Sequence, residues 1–367
     1  MYARLCVSLY TSFLVMKKVL IIPYFGTFPN YFQLWLHSCG SNPDYDFFIY
    51  TDIVPSYYDV PPNVTFKKSD LKEIKDRASY LLGYQCEVEK PYKLCDLRPL
   101  YGLLFKEDIF TYDFWGHCDL DLIFGNINTF LPKEIFTQYD KVLTCGHFSL
   151  YRNDDHVNGI ILGAVKGNYS FVYKTKENCL FDEGYFPEVI PLFKERGVKA
   201  STVFDDNCNI NNILYHNGCR IYVNYDIYAD INFQYDNIKL VWGSELSTKD
   251  AYFKDSVFYF EGGRVKRYIK GRQSFTQEYM YIHLQKRKME VKTKNFDLYI
   301  IDDHNFISWT GNKAILELMI PKKISAKPLS LRIRHGVEAF RRMVHYYLSY
   351  FKYKYGIDLF KFYIWKR

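Results

Sequence analysis

The sequence contains no run of 18 or more apolar residues, which is the length that a membrane-spanning helix requires. Its nine cysteines are odd in number and never spaced as C-x-x-C, so their spacing indicates neither a disulfide framework nor a zinc site. No internal repeat or low-complexity linker interrupts the chain. These absences favour a folded protein of a reducing, cytoplasmic compartment that does not span the bilayer.

An excess of positive charge is missing from most of the chain. The formal net charge is +7, but residues 321–367 contain twelve Lys or Arg and only two acidic residues, so the rest of the chain sums to −3. Nucleic-acid-binding domains usually carry a basic patch. A nucleic-acid partner for the main domain therefore has no electrostatic basis.

Apolar and aromatic residues are abundant. Hydrophobic residues make up 48% of the 367 residues, and the chain has 35 Tyr and 30 Phe, which is too apolar for a disordered protein. Tyrosine suits surfaces that stack on sugars and bases, although an AT-rich genome explains the same excess. The length predicts one main α/β domain with an appendage.

Strands and helices alternate in the first half of the sequence, as a parallel sheet with crossover helices requires. Predicted strands cover Val19–Ile22, Phe47–Tyr50, Val64–Phe66 and Tyr112–Cys118. Predicted helices cover Asn30–Cys39, a segment that begins at about Asp70 with Ser69 as its cap, and Tyr92–Phe105 with a kink or break at Pro99. Polar residues at the ends of such strands line the ligand crevice.

The second half predicts further strands with mixed connections, at Leu143–Leu150, Ile221–Tyr225, Lys239–Trp242, Val257–Phe260 and Leu298–Ile301. We divide the chain into an N-terminal extension (1–15) upstream of a candidate start at Met16, a catalytic domain (16–290), and a C-terminal β segment with a basic helix (291–367).

The clearest chemical signal is the block WGHCDLDLIFGN, residues 115–126. Its Asp119 and Asp121 are spaced i, i+2 at the end of an apolar strand, so both carboxylates can reach one hard divalent cation. Mg²⁺ or Mn²⁺ at this position would neutralise a diphosphate leaving group. The alternative is a pair of solvated carboxylates in a turn.

Five stretches resemble an uncharacterised family of bacterial glycosyltransferase-like proteins, which is associated with capsule and other surface-polysaccharide gene clusters. They are PYFG (23–26), YTD (50–52), KLCDLRP (93–99), the WGHCDLDLIFGN block, and YIHLQKRKM (281–289). The resemblance covers roughly Lys17 to Met289. It implies a GT-A fold, which is a Rossmann-like mixed sheet with flanking helices, and a nucleotide-sugar donor, with a UDP-sugar expected.

The resemblance also implies site residues. Pro23, Tyr24, Phe25 and Asp52 would line the nucleoside pocket, with Asp52 accepting a hydrogen bond from uracil or ribose. Lys93, Asp96 and Arg98 would face the donor, as Asp119 would, although a salt-bridge cluster on the surface explains the first three equally well.

Two later motifs complete the implied site. His283 would be a third metal ligand and Lys286 would contact the diphosphate, whereas a surface histidine in a basic helix is the alternative. Asp205 and Asp206 would start a helix beneath the acceptor, with either as the base of an inverting reaction or as a positioning group of a retaining one. Helix capping alone also explains them. We favour retention slightly.

The segment Gly146–Asn153 is consistent with a wall of the sugar site or with a buried strand that contains a hydrogen-bonded histidine. The tail from about Arg334 to Tyr355 places apolar residues on one helical face and basic residues elsewhere. Such a helix can lie on the anionic inner face of the cytoplasmic membrane, where a lipid-linked acceptor would reside. The alternative is a helix that packs on the catalytic domain.

The leading functional hypothesis is a metal-dependent glycosyltransferase, of the hexosyltransferase type, that moves a sugar from a nucleotide-sugar donor to a glycan or lipid-linked oligosaccharide in surface-polysaccharide synthesis. One alternative is a carbohydrate- or nucleotide-sugar-binding protein that has lost turnover. Another is a metal-dependent phosphohydrolase, but its two-metal site normally needs more ligands than one D-x-D supplies.

Overall fold

The structure is a computed structural model, and it describes residues 16–176, 178–179, 181–182, 210–224, 227–230, 256–270, 276–285, 287–320 and 348. Its strands are β1 (Lys18–Pro23), β2 (Tyr45–Thr51), β3 (Val64–Lys68), β4 (Phe114–Cys118), β5 (Leu122–Phe124), β6 (Lys141–Cys145), β7 (Phe148–Arg152), β8 (Ile221–Tyr222), β9 (Tyr228–Asp230), β10 (Ser256–Glu261), β11 (Arg264–Ile269), β12 (Thr276–Tyr279), β13 (Tyr281–His283), β14 (Glu290–Lys292), β15 (Leu298–Ile301) and β16 (Asn305–Ser308).

The α-helices of these residues are α1 (Phe32–Gly40), α2 (Leu71–Leu82), α3 (Leu94–Leu97), α4 (Tyr101–Leu104), α5 (Lys106–Ile109), α6 (Ile127–Phe130), α7 (Lys133–Gln138), α8 (Asp155–Lys166), α9 (Ser170–Lys174), α10 (Ile210–His216) and α11 (Lys313–Met319). Two 3₁₀ turns, Pro91–Lys93 and Arg98–Leu100, flank α3. The fold is thus mixed α/β.

A seven-stranded sheet with the order β3-β2-β1-β4-β7-β6-β8 forms the centre. Strands β3, β2, β1 and β4 are parallel, as the alternating sequence pattern predicts, whereas β7 runs antiparallel to both β4 and β6. The chain adds β2 and β3 on one side of β1 and then crosses to place β4 on the other. Ligands of open α/β sheets bind beside the carboxyl ends of strands at such a switch point.

Both faces of this sheet are covered, which is why the middle of β1, Val19 to Ile22, is apolar. Val19 and Ile21 face a core layer that includes buried residues of α2 and α8, whereas Leu20 and Ile22 face a layer that includes buried residues of α1. This alternation is the period-2 pattern of a strand. The two layers fix the carboxyl ends of β1 and β4 relative to each other.

Two smaller sheets adjoin the central one. The second sheet has the order β12-β11-β10-β15-β16-β14, and it pairs strands from both sides of residue 290. The third, β5-β13-β9, joins the strand that follows the D-x-D to two strands from the second half of the chain. Its β5 follows β4 after a connection of three residues, Asp119 to Asp121.

Several predicted elements differ in detail from the structure. The segment Leu143–Leu150 is not one strand but parts of β6 and β7, because the chain turns at Gly146 and His147. The predicted helix over residues 92–105 is broken into short helices and 3₁₀ turns around Pro99, which has no N–H to donate. Asp70, not Ser69, caps α2, since its carboxylate accepts from the Glu73 N–H at 2.8 Å.

Strands β9, β11 to β14 and β16 were not predicted from the sequence. The predicted strand Lys239–Trp242, the N-terminal extension and, apart from residue 348, the basic tail helix lie outside the described residues. Within the part of the chain that the structure covers, no helix is long and apolar enough to cross a membrane.

Candidate metal centre

The two aspartates of the D-x-D are held in place by the backbone around them. Asp119 follows β4 directly, and its N–H donates to the His147 carbonyl at 3.0 Å. Asp121 precedes β5, and its carbonyl accepts from the Leu284 N–H at 2.8 Å. The turn between β6 and β7 and the end of β13 therefore fix the connection between β4 and β5.

Strand pairing brings His283 to this connection. Strand β13 runs antiparallel to β5 with His283 opposite Leu122, the residue after Asp121. The His283 Nε2 lies 3.5 Å from Asp121 Oδ1, and the side chains of these two residues are only 10% and 11% exposed. The imidazole that the sequence places far away along the chain is thus part of the same site.

Asp119, Asp121 and His283 form a group that could hold a metal ion, because one ligand atom from each lies within 4.8 Å of the others. Metal–ligand bonds of about 2.1 Å place ligand atoms about 3 to 4 Å apart, so small side-chain rotations are enough to close the group around an ion. Two carboxylates and an imidazole suit a divalent metal. Among the described residues this is the single group of its kind.

The profile of a family of unknown function, DUF6625, matches residues 20–310. The chain belongs to this family. The matched region contains the whole Asp-Asp-His group and runs from β1 to β16. No curated protein matches the chain.

Gly125 and Asn126, at the end of the D-x-D block, have structural roles. A Cβ on Gly125 would lie 2.6 Å from the Tyr279 carbonyl oxygen, and the Gly125 N–H donates to the Met280 carbonyl at 2.7 Å. Glycine therefore allows the end of β5 to lie against the β12–β13 backbone. Asn126 caps α6 by accepting from the Thr129 N–H.

Arg98 joins the metal group to a carboxylate that the sequence did not single out. Its Nη2 donates to Asp119 Oδ1, and its Nη1 donates to the Gly146 carbonyl and, at 2.7 Å, to Asp182 Oδ2. The Asp182 side chain is 1% exposed. Burial raises the pKa of Asp182 to about 6, although the Arg98 guanidinium opposes the shift. The one available signal was an aspartate at the end of the apolar run 179–181.

Lys93 and Asp96, just before Arg98 in the chain, are buried and do not form a surface cluster. The Lys93 ammonium donates to Asp96 at 2.8 Å and to the Val172 carbonyl at 2.7 Å. The Asp96 carboxylate also accepts the N–H groups of Cys179 and Phe181. The pair therefore anchors the segment that carries Asp182, and the donor contact predicted for both residues stays a prediction.

The end of β1 lies near the metal group. Burial, and then the charge of Asp121, raise the pKa of Tyr24, and the Tyr24 hydroxyl donates to the Thr27 carbonyl at 2.8 Å. Pro23 and Phe25 flank it and are half-buried. Asp52 is exposed directly after β2, at the same edge of the sheet as Pro23. The four predicted nucleoside-pocket residues thus share one edge with Asp119.

His147 is a further neighbour of the metal group. Its ring stacks on that of His283, with centroids 4.2 Å apart and an interplanar angle of 25°. Burial, and then the neighbouring His283, lower the pKa of His147 well below its ordinary value. From the sequence, His147 is consistent with a wall of the sugar site or with a buried, hydrogen-bonded histidine.

Three predicted site residues cannot be placed. Lys286, Asp205 and Asp206 lie outside the described residues, so their roles remain predictions. The helix expected after the acidic pair is described as α10.

Proposed function

We propose that this protein is a metal-dependent glycosyltransferase of the GT-A type. The observation that carries the proposal is the position of the Asp119, Asp121 and His283 group. Asp119 and Asp121 follow β4 at the switch point of the central sheet, where ligands of open α/β sheets bind, and His283 lies beside them. A D-x-D at the end of a strand, with a histidine from a later strand beside it, suits a site that binds a nucleoside diphosphate by way of a cation.

The three residues would hold Mn²⁺ or Mg²⁺, and the ion, when bound, would neutralise charge that develops on a departing diphosphate. Arg98 would keep Asp119 oriented through its hydrogen bond to that carboxylate. The low exposure of Asp121 and His283 would limit competition from water. These residues would bind and orient the donor, and Asp205 or Asp206 would act at the acceptor.

The proposed donor is a UDP-sugar. Pro23, Tyr24 and Phe25 at the end of β1 and Asp52 after β2 lie along one edge of the sheet, where a nucleoside could lie between them and Asp119. Asp52 would accept from uracil or ribose. The proposed acceptor is a glycan or a lipid-linked oligosaccharide.

A phosphohydrolase is less well supported. A two-metal hydrolytic site needs ligands for two ions about 4 Å apart. In the residues covered by the structure, a single three-ligand group is found. A binding protein without turnover would keep the same group and differ only in activity.

The test is an assay of nucleoside diphosphate release from a panel of sugar nucleotides, with an acceptor mixture, with Mn²⁺ and with EDTA. The proposal expects release that requires the metal and is lost in Asp121→Asn. Metal-dependent donor binding without release would indicate the binding protein. Release of inorganic phosphate from phosphomonoesters would indicate the hydrolase.

A further inference from the structure

His147 contacts the metal group through both its backbone and its side chain. Its carbonyl accepts from the Asp119 N–H, and its imidazole stacks on the imidazole of His283. The rings of Tyr228 and Tyr281 lie nearly perpendicular to it, at centroid distances of 5.1 Å and 5.6 Å. The turn between β6 and β7 thus holds this ring close to two of the three candidate ligands.

The His147 Nε2 is buried and has no hydrogen-bond partner among the residues that the structure describes. Leaving a buried polar atom unpaired is energetically unfavourable, so such atoms in native proteins usually meet water, an ion or a ligand. The neighbouring tyrosine rings contact His147 edge to face. A partner from outside the described residues is therefore expected at this nitrogen.

We propose that His147 is a fourth protein ligand of the metal centre, and that the two stacked imidazoles select a transition-metal ion over Mg²⁺. The inference rests on the proposed metal site. His147 is not in the group whose ligand atoms lie within 4.8 Å, so its ring must rotate toward the ion. Within the described part of the chain, that rotation breaks no hydrogen bond at Nε2.

The choice of ion follows from ligand chemistry. Mg²⁺ prefers oxygen ligands and keeps much of its water, whereas imidazole nitrogen favours the first-row transition metals. A set of two carboxylates and two imidazoles therefore favours a first-row transition-metal ion, Mn²⁺ among them, over Mg²⁺. Of the six ligands common for such an ion, two would remain to come from outside the chain, which matches two oxygens of a diphosphate.

The experiment is pulsed electron paramagnetic resonance of Mn²⁺ bound to the full-length protein with ¹⁵N-labelled histidine, without nucleotide. The wild type should show two coupled imidazole nitrogens. His147→Phe, which keeps an aromatic ring against His283, should show one, and so should His283→Gln. His156→Gln, a change at an exposed histidine of α8, should leave both couplings in place.

Metal titration supplies a second readout. His147→Phe should weaken Mn²⁺ binding by about 10- to 100-fold and weaken Mg²⁺ binding much less. A single coupled nitrogen in the wild type, lost in His283→Gln and kept in His147→Phe, would overturn the proposal and leave His147 as a stacking neighbour. No Mn²⁺ binding by the wild type would overturn the metal centre as well. The wild-type spectrum decides the ligand count even where a variant does not fold.

Discussion

His283 Nε2 lies 3.5 Å from Asp121 Oδ1, although the two residues are far apart in the sequence. The cause is the antiparallel pairing of β13 with β5, which begins directly after Asp121. One short stretch of sheet therefore creates the candidate metal site, and changes to its ligands should alter function more than stability.

Asp121→Asn should lower metal-dependent turnover by at least about 100-fold, because the amide removes a negative ligand while preserving shape. Asp119→Asn should have a similar effect and also loses a charged partner of Arg98. The measurement is kcat/KM at saturating Mn²⁺. The control is Asp297→Asn, since this carboxylate is 77% exposed and pairs with His37. Activity of either variant within about tenfold of the wild type contradicts the metal assignment.

Arg98→Lys should weaken Mn²⁺ activation by about 10- to 100-fold, as changes to groups that orient metal ligands usually do. Lysine keeps the charge but cannot reproduce the guanidinium fork that contacts Asp119, Asp182 and the Gly146 carbonyl. The concentration of Mn²⁺ at half-maximal turnover measures the effect. Arg77→Lys, in a partly exposed pair on α2, is the control. An unchanged Mn²⁺ requirement would mean that Arg98 does not position Asp119.

Lys93→Met should lower the free energy of unfolding by about 3–5 kcal/mol, because it leaves the buried Asp96 carboxylate without its cation. Urea unfolding measures the change. The control is Lys72→Met, which removes an exposed partner of Asp76 and should have no measurable effect. If both variants unfold like the wild type, the buried pair does not stabilise the segment that carries Asp182.

Lys141 should make stability depend on pH. Burial lowers the pKa of its ammonium to about 7, whereas the pKa of a lysine in an unfolded chain is about 10.4. At pH values between these two pKa values, Lys141 is protonated in the unfolded chain and deprotonated in the native protein. The contribution of Lys141 to the free energy of unfolding therefore increases with pH.

Urea titrations from pH 7 to 9 should therefore show wild-type stability rising relative to Lys141→Met by roughly 1 kcal/mol per pH unit. The exposed Lys166→Met should follow the wild type throughout this range. Parallel wild-type and Lys141→Met curves would show that the buried lysine stays charged.

The sequence predicts the parts of this site that depend on local pattern. The apolar strand ending at Asp119 and the alternation of the first half are properties of short segments, so β1 to β4 and the D-x-D connection follow from them. The turn at Gly146 and His147 was missed because apolar residues on both sides resemble one continuous strand.

The rest depends on contacts between distant segments. Asp182 has no motif around it, and only the folded chain brings it to Arg98. Lys93 and Asp96 were expected near the donor, but their burial depends on the backbone of residues 172–181, which sequence patterns do not place. His147 is likewise recognisable only once β13 brings His283 beside it.

Calorimetry of UDP binding tests the central claim most directly, namely that Asp119, Asp121 and His283 hold a cation that binds a nucleoside diphosphate. UDP should bind the wild type in Mn²⁺, more tightly than GDP or CMP does, and binding should be lost in EDTA and in Asp121→Asn. Equal UDP affinity with Mn²⁺, with EDTA and in the variant would contradict the account, because the nucleotide would then not depend on the metal centre.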